Sequence, residues 1–80
     1  MADIEMINGV KVGFAFLRFF KKHMEIGQPV SEQEGDVNGF QWFKNAKLTW
    51  TGKKVEVYWF GVDVPKPEWM GDETTAQFEV

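Results

Sequence analysis

The spacing of apolar positions changes along the chain and divides it into three stretches. Between Ile4 and Val12, two short apolar runs flank Asn8-Gly9. Asn-Gly favours the positive φ angles of a type I′ turn, so these residues predict a β-hairpin. From Phe14 to Glu25 the period is helical. Phe16, Leu17, Phe19, Phe20 and Met24 fall on one arc, and Arg18, Lys21, Lys22 and Glu25 on the other. Lys21, Lys22 and His23 suit the negative end of a helix dipole, while Gly27 and Pro29 stop its continuation. The spacing therefore predicts a helix over 14–25.

After Ser31 the period becomes two. Residues 39–43, 46–51 and 54–60 are rich in aromatic and β-branched side chains, with turn residues Lys44-Asn45 and Gly52-Lys53 between them. Ala46, Leu48 and Trp50 alternate with Lys47, Thr49 and Thr51, and Val55, Val57 and Trp59 alternate with Glu56, Tyr58 and Phe60. That is the pattern of an antiparallel meander with a buried face. Pro65 and Pro67 end regular pairing, and residues 77–80 fit a short returning edge strand. The expected fold is α+β: a single domain, residues 1–80, with one amphipathic helix packed on a small antiparallel β-sheet of three to five strands.

Composition narrows the function more by exclusion than by pointing. The chain is 44% hydrophobic and 26% charged, a globular balance, and has no cysteine, which excludes disulfides and thiolate chemistry. No apolar run approaches the roughly 18–20 residues of a membrane span. Met1-Ala2-Asp3-Ile4-Glu5 lacks the basic and apolar regions of a secretory leader, so the chain reads as an intracellular or virion protein, or as an excised surface repeat. The net charge of −3 argues against general phosphate binding. Residues 44–54 do carry four lysines beside Phe40, Trp42, Phe43 and Trp50, an arrangement that suits single strands of nucleic acid. Lysines at hairpin tips also keep strands unpaired, and that reading is preferred; nucleic acid is not an expected partner. Eight Phe, four Trp and one Tyr are the unusual feature. A core this small gives little stability unless aromatic rings thicken it or a second copy covers it, so homo-oligomer formation is also an expectation.

Chemistry-bearing residues are few. His23 has no second His or Cys with which to hold zinc, and it reads as a partly buried helix-end residue with a backbone partner. Ser31 lacks a base, so its hydroxyl is assigned to capping a turn. Glu34 to Gly39 begins like a calcium loop, but the twelfth position is Asn45 rather than Glu, and an acidic turn is the better reading. Glu32, Glu34 and Asp36 could in principle pair as glycosidase carboxylates, yet their spacing fixes nothing, and a solvated loop is preferred. No catalytic residue, metal site or cofactor is expected. Among the tryptophans, Trp42 and Trp50 are expected in the core. Trp59 and Phe60 are adjacent, so one of them must leave the core face, and Trp69 lies in a proline-containing loop. Tyr58, Trp59, Phe60 and Trp69 are the expected ligand-binding residues.

Three blocks also carry a resemblance: Phe16-Leu17-Arg18-Phe19-Phe20, then Gly27-Gln28-Pro29-Val30-Ser31-Glu32, then Gly39 to Trp50 with its Gln41-Trp42-Phe43 and Ala46. Their order and spacing over residues 9–50 resemble a bacterial cell-surface repeat, and the chain is similar to the LGFP repeats of secreted actinobacterial proteins. Such repeats are non-catalytic and attach to cell walls or surface glycans, often beside hydrolase domains. The resemblance implies a binding module that uses exposed aromatics on a glycan. The alternative is a small protein-interaction factor, of the phage or mobile-element type, that docks on a host or virion protein.

Overall fold

The computed structural model describes residues 4–34 and 39–79. Strands β1 (Ile4–Ile7) and β2 (Val10–Gly13) form the expected hairpin, with φ of 53° at Asn8 and 76° at Gly9. Both central residues thus take the left-handed conformation that a type I′ turn requires. Strand β2 runs without a loop into α1 (Phe14–Lys22), and Phe14 makes the corner at φ 53°. The helix is shorter than its apolar period. His23 leaves helical geometry at φ −135° and ψ 67°, and Met24–Ile26 forms a 3-10 turn ended by Gly27. The tighter turn shifts the phase of the side chains. Met24, expected on the apolar arc, therefore faces solvent, and Ile26 takes the buried place.

Strands β3 (Phe40–Trp42), β4 (Ala46–Trp50), β5 (Val55–Trp59) and β6 (Thr75–Phe78) follow one another as an antiparallel sheet in the order β3-β4-β5-β6. The fold is thus α+β, and the returning strand begins two residues before the expected 77–80; Val80 lies outside the described residues. One face of the sheet packs on α1. Ala46, Leu48, Val55, Val57 and Trp59 meet Phe16, Leu17, Phe19 and Phe20 there, with Val12, Ile26, Phe43 and Met70 completing the core. Each fully buried Val, Leu or Phe contributes about 1.5–3 kcal/mol relative to exposure.

Strand β3 is turned over relative to expectation. Gln41 points inward and is 0% exposed, while Phe40 and Trp42 point outward, so Trp42 is not a core residue. Two interactions set this orientation. Phe43 is buried, with its ring stacked 5.8 Å from that of Phe20. Gln41 Nε2 donates to the carbonyls of Lys11 at 3.1 Å and Ser31 at 2.9 Å, which ties the hairpin and the preceding segment to the sheet. That segment, residues 28–34, lies along β3. The N–H groups of Lys44, Val30 and Glu34 and of Phe40 close bonds of 2.8–3.0 Å to Gln28, Trp42, Phe40 and Glu34 carbonyls respectively.

Candidate functional site

Every second residue of the sheet faces away from α1, and the register sorts these residues into two rows. Trp42, Lys47, Tyr58 and Thr75 stand side by side in one; Phe40, Thr49, Glu56 and Gln77 in the other. Val30, whose N–H bonds to Trp42 C=O, extends the first row beyond β3. Phe60, just past β5, joins the same face, with its ring centroid 5.5 Å from Trp42 and 6.3 Å from Tyr58. Lys47 Nζ lies 4.9 Å from the Phe40 centroid and 5.3 Å from Trp42, within range of cation–π attraction.

The outward face of an antiparallel sheet is ordinarily polar. Here four rings share the face, two of them against one ammonium group, and Trp42 and Tyr58 remain 37% and 45% exposed. Thr49, Thr75, Glu56 and Gln77 add donors and acceptors across the face, with Gln77 Nε2 donating to Glu56 Oε2 at 3.2 Å. Such a surface can stack on a flat ligand and hydrogen-bond around it.

Of the expected ligand residues, the fold brings Tyr58 and Phe60 together on this face and separates the other two. Trp59 is corrected: alternation sends its ring inward, where it is 6% exposed and belongs to the core. Trp69 lies apart from this face. Its loop returns it to the helix side, half-buried, with its ring 4.4 Å from His23, 5.6 Å from Phe19 and 5.2 Å from Phe78. Its indole N–H is donated to Glu25 Oε1. Phe40 and Trp42 replace these two residues. The doublet Trp42-Phe43 was the available signal, because adjacent aromatics in a strand must split between the faces just as Trp59-Phe60 do.

The remaining chemistry-bearing side chains take supporting places. His23 is half-buried among rings, 4.6 Å from Phe19, with Nδ1 3.6 Å from Glu25 Oε1; its side-chain neighbours are thus rings and a carboxylate rather than a backbone group. Ser31 Oγ accepts the Trp42 N–H at 3.2 Å, a backbone-capping role. Glu32 and Glu34 are exposed, whereas Asp36 and the rest of residues 35–38 of the calcium-like loop lie outside the described residues. Among the described residues no three His, Asp or Glu side chains converge as a metal site would need, and no helix is long and apolar enough to cross a membrane. A cleft of about 530 Å³ opens beside the start of α1, between Lys11, Phe14, Arg18, Glu32 and Trp50, and shares no lining residue with the aromatic face.

Compared with known proteins, the chain matches no family model, no curated protein and no solved structure. The likeness to surface repeats therefore stands on the three sequence blocks alone.

Proposed function

We propose that this chain is a non-enzymatic binding module whose contact surface is the open face of its sheet, and that its ligand is a cell-wall or surface glycan. The observation that carries the reading is the exposure of Trp42 and Tyr58 beside Phe60 and Lys47, on a face that alternation would otherwise leave polar. Sugar rings present C–H faces that stack on aromatic side chains. Their hydroxyls can bond to Lys47, Thr49, Thr75 and the Tyr58 hydroxyl around those rings. The resemblance of residues 9–50 to surface repeats supports the same ligand class.

The test is retention on insoluble peptidoglycan and on a panel of soluble oligosaccharides. Trp42→Ala and Tyr58→Ala each weaken binding by about tenfold or more, equivalent to about 1.4 kcal/mol. Both side chains project from the face that the core does not use, so thermal unfolding of the variants stays close to that of the parent. Undiminished binding by both variants defeats the reading.

One observation favours a second reading. Trp42 and Phe60 meet at 61°, edge to face, and Lys47 lies against two rings. An uneven apolar patch of this kind also suits side chains of a protein partner, as in a factor of the phage or mobile-element type. Absence of glycan retention, together with a discrete co-purifying protein lost on Trp42→Ala, selects this second reading.

A further inference from the structure

The two edges of the four-stranded sheet are treated differently. The β3 edge is closed by residues 28–34, which bond along it and include Pro29, paired with Phe43. The β6 edge has no such cover among the described residues. Its backbone orientation follows from the ladder. Thr74 C=O accepts the Trp59 N–H, so alternate residues Ala76 and Phe78 turn their main chain toward β5. Thr75 and Gln77 therefore direct their N–H and C=O groups outward. Natural sheets blunt a free edge with lysine, proline, a bulge or a covering loop, whereas Thr75-Ala76-Gln77-Phe78 has neither charge nor proline.

The charge within the edge segment itself is one-sided, although the register sets Lys54, just before β5, opposite Glu79. Residues 67–79 contain Glu68, Asp72, Glu73 and Glu79 and no Lys, Arg or His. All four acids are exposed, and none is ion-paired among the described residues. Asp72 and Glu73 precede the strand, and Glu79 follows it. A second copy would bring the same acids: two β6 strands paired about a two-fold axis set Glu79 of one beside the Glu73 end of the other. Like charges oppose that arrangement, whereas basic flanks on an incoming segment satisfy both ends at once.

We propose that the β6 edge takes up an extended, basic segment of a partner protein as a fifth strand. The main chain of Thr75 and Gln77 supplies the hydrogen bonds. The acids at either end select Lys or Arg flanks. Half-buried Phe78 and Ala76 on the helix side meet alternate apolar side chains of the guest. This surface is the rim of the sheet: it uses the main chain of Thr75 and Gln77, whereas the open face uses side chains and is tested through Trp42 and Tyr58, so the two readings are told apart by their variants.

The experiment uses the full chain and a fluorescent peptide of alternating Val and Thr with lysines at both ends. Controls are the same peptide with glutamate ends and one N-methylated along a single edge. Binding to the lysine form is expected to exceed binding to the glutamate form at least tenfold. It falls several-fold as salt rises, because exposed charges are screened beyond about 10 Å at 0.1 M salt. N-methylation abolishes it. In hydrogen exchange the amides of Thr75 and Gln77, exposed in the free protein, gain about tenfold or greater protection on binding. Glu73→Lys together with Glu79→Lys, both surface changes, reverses the preference between the peptides and leaves unfolding unaltered. Equal binding of both peptides overturns the proposal, as does binding that ignores N-methylation. Concentration-dependent dimers that protect the same two amides without peptide overturn it in favour of a second copy.

Discussion

The Gln41 side chain reaches two carbonyls from distant parts of the chain, Lys11 and Ser31, and does so from a fully buried position. A carbonyl shielded from water that loses its donor costs about 1–3 kcal/mol, and these two part-buried bonds sit toward the low end of that range. Among the described residues the amide oxygen of Gln41 itself has no donor, which lowers the net value of the residue. Gln41→Leu is therefore expected to cost about 1–2 kcal/mol in urea unfolding. Gln41→Glu should cost more, because a carboxylate cannot donate to either carbonyl and would face both from within the core. A Glu variant as stable as the Leu variant would show that the two bonds do not set the orientation of β3. This residue also marks where the sequence misleads. Phe40-Gln41-Trp42 reads as aromatic-in by alternation alone. The competing demands, a ring for Phe20 to stack on and two carbonyls needing a donor, arise only once the hairpin and residues 28–34 have docked.

Where elements meet, Gly27 and Asn45 form the joint. Asn45 Nδ2 donates to Glu25 C=O and its N–H to Ile26 C=O, while its own carbonyl accepts from Phe60 and Gly61. The end of the 3-10 turn, the β3–β4 turn and the exit of β5 are thus held at one residue. Gly27 packs against this joint at φ 86° and ψ 174°, and a Cβ there would lie 2.6 Å from Lys44 Cβ. Gly71 ends the second 3-10 turn, Glu68–Met70, in a comparable glycine-only conformation at φ 64° and ψ −142°, but with open space around it. The pair separates strain from crowding. Gly71→Ala should lose only the backbone term, about 1–3 kcal/mol. Gly27→Ala adds a clash worth about 1–3 kcal/mol more, visible as a lower urea midpoint at unchanged m-value. Equal losses would mean that the Lys44 backbone yields freely. At this scale most of the fold was legible: Asn8-Gly9 announces the hairpin, alternation in β4 and β5 announces the strands, and Gly27 announces the helix stop. The last turn of α1 was not legible, because a 3-10 turn and an α-helical turn present the same residues and differ only in phase.

Across the whole molecule the sheet divides two kinds of aromatic. Rings on the helix side belong to the core, and rings on the open side lie outside it. Trp69 belongs to the first kind: with Phe19, His23 and Phe78 it fastens the long β5–β6 connection to the end of α1. That division could not be read from the loop sequence, where a tryptophan between prolines and glycines looks available. The division predicts opposite behaviour of the two sets. Trp69→Ala should cost about 2–3 kcal/mol, less than a fully buried tryptophan, while retention on glycan measured well below its melting temperature stays at the parent level. Trp69→Phe should recover most of the loss, since the ring contacts outweigh the exposed bond to Glu25. Trp42→Ala and Tyr58→Ala should show the converse, normal unfolding with lost retention. Were Trp69→Ala to fold with parental stability yet lose retention, the ligand surface would have to be moved round the rim of the sheet to the helix side.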